Sequence, residues 1–186
     1  MKITFITGNQ LKFDAAVLAL KGSQVELVRK ELEVPEIQST SVEDIASFSA
    51  QWASQKLSES VVVTDAGYFI TALNGFPGPF IKYINQWLTP QDLLKLMEGK
   101  ENREVIVRDC LACCKPGQKP VTFIGEAKGT LSEKVVKPGR TPISTIFIPE
   151  GFDKTEPELT DEEMFKFWNS NLQVWPKLAE YLTKNN

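Results

Sequence analysis

The chain has 186 residues, 42% of them apolar and 24% charged, which suits one sizeable globular domain spanning residues 1–186 and excludes a disordered chain. Its net charge of −3 argues against a basic face of the kind that grips a nucleic-acid polymer. No apolar run approaches the roughly 18 residues of a membrane span, and the N-terminal apolar stretch is only as long as a strand, so a cytoplasmic location away from membranes is expected.

In chain order, Lys2–Ile6 reads as a β-strand, and Gly8 or Asn9 starts a helix running to about Leu20. A second strand follows over Gln24–Leu32. Val34–Gln38 is extended, because proline disfavours the helical region in the residue before it. Ser41 caps a helix with Glu43 and Asp44 in its first turn, where carboxylates suit the helix dipole. Ile45, Phe48 and Trp52 form a stripe expected to face a core. Ser60–Thr64 is a continuous apolar run that predicts a central strand, with Asp65 at its C-terminal end. Asn74–Pro79 is the strongest turn cluster, and helices are predicted at about Phe80–Trp87 and Pro90–Met97. Two longer strands, Arg103–Cys113 and Val121–Leu131, flank Lys115–Gln118, and a short strand is expected at Thr145–Ile148. From Thr160 the tail is helical, with a break near Pro176. The alternation predicts an α/β fold.

The chain contains no histidine, so acid–base chemistry near neutral pH falls to carboxylates, lysine, tyrosine or metal-bound water. Cys110, Cys113 and Cys114 lack the fourth ligand of a zinc site and read as reduced cysteines in a buried strand.

Three places carry candidate chemistry. In the first, a strand runs into Thr7-Gly8-Asn9 and a helix bearing Lys12. Free N–H groups and the dipole at a helix start favour anions, so the turn reads either as a phosphate cradle or as a capped helix with an exposed lysine. The second is the pair Glu36 and Asp65, which reads as Mg²⁺ ligands near phosphates or as a surface glutamate and a turn aspartate. The third is Lys82, just after the Asn74–Pro79 loop, which either reaches a phosphate or is solvated.

Taken in order, Thr7-Gly8-Asn9-x-x-Lys12, Pro35-Glu36-x-Gln38, Val61–Asp65 with Gly67, and Leu73–Lys82 resemble the inosine triphosphate pyrophosphatase family. Phe123-x-Gly125-x-x-x-Gly129 and Ile146–Thr155 extend the resemblance, which holds from residue 3 to about 163. It implies an elongated mixed sheet with flanking helices, two lobes around a central cleft, and a homodimer. It also implies Mg²⁺-dependent cleavage (Mn²⁺ being an alternative) of non-standard nucleoside triphosphates to monophosphate and pyrophosphate. By position, Thr7, Gly8, Asn9 and Lys12 would bind phosphate, Glu36 and Asp65 would hold metal, and Asp65 would orient or deprotonate water. Lys82 would neutralise charge developing on the phosphates. Phosphoryl transfer rests on positioning and charge neutralisation, so the lack of histidine is no obstacle.

The chain also departs from the family pattern. Ala15 stands where the family has an acidic residue, and the acidic pair at the strand end is reduced to Thr64-Asp65. Ser49 or Ala50 stands near the place of a lysine, and Ile143-Ser144-Thr145 replaces an aromatic-Asp-Pro. The segment that reads the base as Lys-Asn and Ser-His-Arg has become Met164-Phe165 and Trp168-Asn169-Ser170. Phe165, Phe167 and Trp168 therefore read either as a remodelled base pocket or as a core face at helical spacing. Two functional readings follow: a triphosphate pyrophosphatase with altered base preference, or a catalytically impaired relative that binds nucleotides or a protein.

Overall fold

The computed structural model describes residues 2–184. The first strand and helix, β1 (Lys2–Ile6) and α1 (Gln10–Ala19), are followed by β2 (Glu26–Lys30). After an extended segment come α2 (Val42–Leu57), β3 (Val61–Ile70) and the short β4 (Pro77–Gly78). Next are α3 (Ile81–Trp87), α4 (Pro90–Leu96) and the long strands β5 (Glu104–Cys114) and β6 (Val121–Leu131). The remainder is α5 (Pro142–Ile146), β7 (Phe147–Pro149), α6 (Asp161–Asn171) and α7 (Val174–Lys184). The strands form one seven-stranded sheet in the order β2-β1-β3-β5-β6-β7, with β4 paired to β3. β1 runs parallel to both β2 and β3, whereas β4 pairs antiparallel with β3 and β7 antiparallel with β6. Among the described residues the sheet is therefore mixed and alternates along the chain with seven helices, as the α/β reading requires.

By contacts the chain divides into two compact units. The first contains the described residues up to Asp65, Asp109–Gly125, and those from Gln173 onward. Ile3, Phe5, Ala16, Val62, Leu111, Cys113, Val174, Leu178 and Leu182 form its core. Trp175 meets the edge of Phe5, with ring centroids 5.0 Å apart, and so fastens α7 to the sheet. The second unit contains Ala66–Arg108 and Glu126–Leu172, and its core runs from Ile70, Leu93 and Met97 through Val105 and Leu131 to Phe147 and Phe167.

Several elements differ from the sequence expectation. β3 does not stop at Thr64 but continues to Ile70, so Asp65 lies within the strand and not at its end. Gly67 serves close approach: a Cβ on it would lie 2.8 Å from the backbone carbon and oxygen of Gly78 on β4. On α2 the buried face is Val42, Ala46, Ser49, Ala50, Ala53 and Ser54, while Phe48 is exposed. The small residues let the helix approach its neighbours closely, and the expected Ile45–Phe48–Trp52 stripe lies at the margin of that face. The strand expected at Thr145–Ile148 is divided. Thr141 and Ser144 cap each other reciprocally to make the turn of helix α5, and only Phe147–Pro149 pairs with β6. The break in the tail falls at Gln173, which has a φ of 55°, and Pro176 sits in the first turn of α7, where its missing N–H costs nothing.

Among the described residues no helix is long and apolar enough to cross a membrane.

Candidate active site

The first unit gathers the chemistry around the end of β1. Asn9 caps α1: its Oδ1 accepts from the Lys12 N–H at 3.1 Å, and its own N–H donates to Thr7 Oγ1 at 3.1 Å. These bonds hold Thr7-Gly8-Asn9 as a tight turn feeding a helix whose first turn carries no acidic residue. A Cβ built on Gly8 would meet nothing within 4 Å, so the fold leaves open space beside that peptide. Lys12 is exposed on the same turn. The arrangement suits an anion, because helix N-terminal N–H groups, the dipole and the ammonium carry the same sign.

Arg29 on β2 braces this turn from below. Its Nε donates to the Thr7 carbonyl at 3.2 Å and its Nη2 to the Gly8 carbonyl at 3.3 Å, with further contacts to Gln10 and Glu31. The parallel β1–β2 register, which sets Phe5 beside Arg29, brings the guanidinium there. The sequence offers no local sign of this, since Arg29 is one charged residue in a mixed strand.

β3 pairs parallel with β1, Thr4 beside Val61 and Phe5 beside Val62, and Asp65 follows further along the same strand. Its Oδ2 is buried. Asp109, on the adjacent strand β5, was not a candidate from sequence. Burial pushes its carboxyl up to about 6, with the nearby Lys12 charge and the Cys110 N–H pulling the other way. Burial also pushes the Cys110 thiol up to about 12, and the charges of Glu43, Asp109 and Asp65 reinforce it. Three carboxylates thus act on one buried sulfur. Glu36 stands exposed on the extended segment after β2. Cys110, Cys113 and Cys114 are all free and buried, as expected.

The second unit holds the other candidates. Lys82 is exposed near the start of α3, its ammonium 5.8 Å from the centroid of the Tyr83 ring. Trp168 stacks on Phe147 with centroids 5.9 Å apart and meets the edge of Phe167 at 4.9 Å; Phe167 is buried in that unit's core, and Trp168 is half-buried against it. Phe165, two residues before Phe167, is exposed.

A family model described as the Ham1 family matches residues 3–167, most of the chain. The chain belongs to that family. Among curated relatives, the dITP/XTP pyrophosphatase of Methanopyrus kandleri is 40% identical over 186 residues, covering 100% of this chain and 98% of its own. That of Methanothermobacter marburgensis is 34% identical over 185 residues, with 100% and 98% covered. Among solved structures, a HAM1 protein from Coxiella burnetii is 20% identical with a TM-score of 0.84, and 99% of each chain is covered. That likeness shows the fold.

Proposed function

We propose that this protein is a nucleoside triphosphate pyrophosphatase of the house-cleaning type, cleaving a non-standard nucleotide to monophosphate and pyrophosphate. What supports the reading is that the strand carrying Asp65 runs parallel beside β1, the strand that leads into the open Thr7-Gly8-Asn9 turn and its lysine. The 40% identity to a relative named dITP/XTP pyrophosphatase supports the same reaction.

In this reading, the turn N–H groups and Lys12 bind phosphate oxygens of the substrate, and Lys82 adds a second positive charge. Asp65 accepts the proton of the attacking water. The new bond joins water oxygen to the α-phosphorus, and the α–β phosphoanhydride bond breaks, releasing pyrophosphate. Lys12 offsets negative charge on the phosphates as they separate, and Arg29 holds the turn while it does so. Proton transfer to a carboxylate needs no histidine.

The donors fit Mg²⁺ in kind. Asp65 and Glu36 offer the hard carboxylate oxygens that Mg²⁺ takes, Glu36 from the exposed extended segment. Among the described residues no group of three or more Cys, Asp or Glu is arranged to hold a metal ion unaided. Mg²⁺ characteristically binds through one or two carboxylates with waters and substrate phosphates, and we assign Glu36 and Asp65 to it. When bound it would supply charge neutralisation at the phosphate oxygens.

The proposed base preference is altered from the family's. What supports it is that Met164-Phe165 and Trp168-Asn169-Ser170 stand in the segment where the resemblance expects Lys-Asn and Ser-His-Arg, and a pocket that lacks those base-reading groups discriminates less sharply. Phe165 and Trp168 are assigned to base contact. A homodimer is part of the proposal. It is supported by the exposed aromatic pair on α3, where Tyr83 packs on a Trp87 that is 71% exposed.

The test is product analysis on a panel of inosine, xanthosine and standard purine and pyrimidine triphosphates with Mg²⁺ or Mn²⁺. Equimolar monophosphate and pyrophosphate from at least one of them is expected. Release of inorganic phosphate alone, or no turnover on any, sinks the reading.

A further inference from the structure

Phe69 on β3 lies against the backbone of the Asn74–Pro79 turn. A Cβ built on Gly67 would lie 2.9 Å from its Cε2, one on Gly78 3.3 Å from its Cε1, and one on Gly75 3.5 Å from its Cδ1. The ring thus takes the room that side chains at those places would need, and glycine lets ring and main chain meet. Main-chain pairing closes the turn beside it: the Gly75 N–H donates to the Ile70 carbonyl at 3.0 Å, and Phe69 pairs with Pro77 across β3 and β4.

Arg108 on β5 holds the ring. Its guanidinium carbon lies 5.3 Å from the Phe69 centroid, within cation–π range. The same guanidinium is fixed to β6, where its Nε and Nη2 lie 2.7 Å and 2.6 Å from one oxygen of Glu126. Glu126, Arg108, Phe69 and the glycine backbone therefore make one connected series of contacts, all within the second unit. The turn feeds α3 directly. The Phe80 N–H donates to the Pro77 carbonyl at 3.2 Å and the Ile84 N–H to the Phe80 carbonyl at 3.2 Å, so the turn that the ring supports also sets the start of the helix carrying Lys82.

We infer that Arg108 is a positioning residue: through the Phe69 ring it holds the Asn74–Pro79 turn, and with it the Lys82 ammonium, in place for a phosphate oxygen. The inference rests on the reading of Lys82 as a phosphate-binding lysine. A glycine-rich turn has much conformational freedom to lose, and a ring clamped against it orders the turn before the substrate arrives, which strengthens binding. Arg108 itself touches neither phosphate, water nor metal in this role.

A double-mutant cycle tests it without requiring turnover. The affinity of the full-length protein for inorganic tripolyphosphate, with no metal added, is measured by calorimetry in the parent, Arg108→Met, Lys82→Gln and the double variant. Each is checked for folding by circular dichroism, and Arg108→Gln serves in place of Arg108→Met should the latter not fold. The expected result is that Arg108→Met weakens binding about fourfold when Lys82 is present, and less than twofold when it is Gln. Phe69→Leu, which removes the ring and keeps the guanidinium, is expected to weaken binding by a similar factor, with less than a twofold further loss when Arg108→Met is added. An arginine that bound phosphate directly would lower the affinity equally in every background. Equal losses with and without Lys82, no loss from Arg108→Met or from Phe69→Leu, or a further loss of twofold or more on combining those two, overturn the inference. If Lys82→Gln alone leaves the affinity unchanged, the phosphate reading of Lys82 itself fails, and the positioning role falls with it.

Discussion

Arg29→Met removes the brace beneath the Thr7–Asn9 turn while keeping an apolar stem of similar length. Two bonds are lost, from Nε to the Thr7 carbonyl at 3.2 Å and from Nη2 to the Gly8 carbonyl at 3.3 Å. A bond from a charged donor contributes about 1.5–3 kcal/mol, but both are long and the side chain is 27% exposed, so solvent screening lowers each. About 1 kcal/mol apiece is reasonable, or about 2 kcal/mol together. The contacts to Gln10 and Glu31 lie at the surface and add little. Felt by the turn, about 2 kcal/mol corresponds to a fall of roughly thirtyfold in kcat/KM at most. Felt by the whole chain, it lowers Tm by about 4–8 °C. Steady-state pyrophosphate release, measured well below the variant's Tm, reads the first quantity and thermal denaturation the second. Arg29→Lys should fall between parent and Arg29→Met, since one ammonium does not span both carbonyls. A Met variant with parental kcat/KM would show that Arg29 does not set the geometry of the turn.

Gly8→Ala should leave Tm within about 1 °C, because a Cβ there meets nothing within 4 Å, yet it should raise KM for triphosphate by crowding the open peptide; thermal denaturation and kinetics read the two separately. Gly129→Ala should do the opposite, lowering Tm sharply, because its Cβ would lie 2.4 Å from the Ile148 carbonyl and from the Phe147 ring. Asp109 has a folded pKa raised to about 6 from 3.8, so its charged form costs stability, and that cost grows as pH rises from about 4 to 6 and is constant above. Asp109→Asn should therefore be more stable than the parent at pH 7 to 8, by on the order of 2 kcal/mol, with the difference vanishing near pH 4 in urea titrations. Cys110 and Cys113, pushed up to about 12 and about 11 by burial, should resist iodoacetamide in the native protein at pH 8 and react in denaturant, as mass spectrometry would show.

Where local pattern and tertiary structure agree, the fold was legible in the sequence. β1 is an apolar run closed by a Gly-Asn turn, and Ser41 with Glu43 and Asp44 announces α2. The two long strands on either side of Lys115–Gln118 follow from their length and alternation. Elements shaped by distant partners were not legible. The run of β3 past Asp65 to Ile70 shows only when Gly78 is seen against Gly67, and the reciprocal Thr141–Ser144 cap turns a β-like run into helix. α2 buries its small residues because the packing distance decides, and side-chain hydrophobicity alone misplaces the stripe. The same division holds at the site. The turn from Thr7 to Lys12 is local and visible in order, whereas Arg29 reaches it only through the pairing of β1 with β2.

The central claim is the proposal that Asp65 takes the proton of the attacking water. Its most direct test is kcat for pyrophosphate release by Asp65→Asn against the parent, on whichever triphosphate the parent turns over fastest. A near-isosteric amide keeps the strand and its pairing while removing the proton acceptor. The account predicts a fall in kcat of about 10²–10⁴ at unchanged Tm. An Asn variant retaining more than about a tenth of parental kcat would contradict it, since that loss is smaller than general-base removal produces.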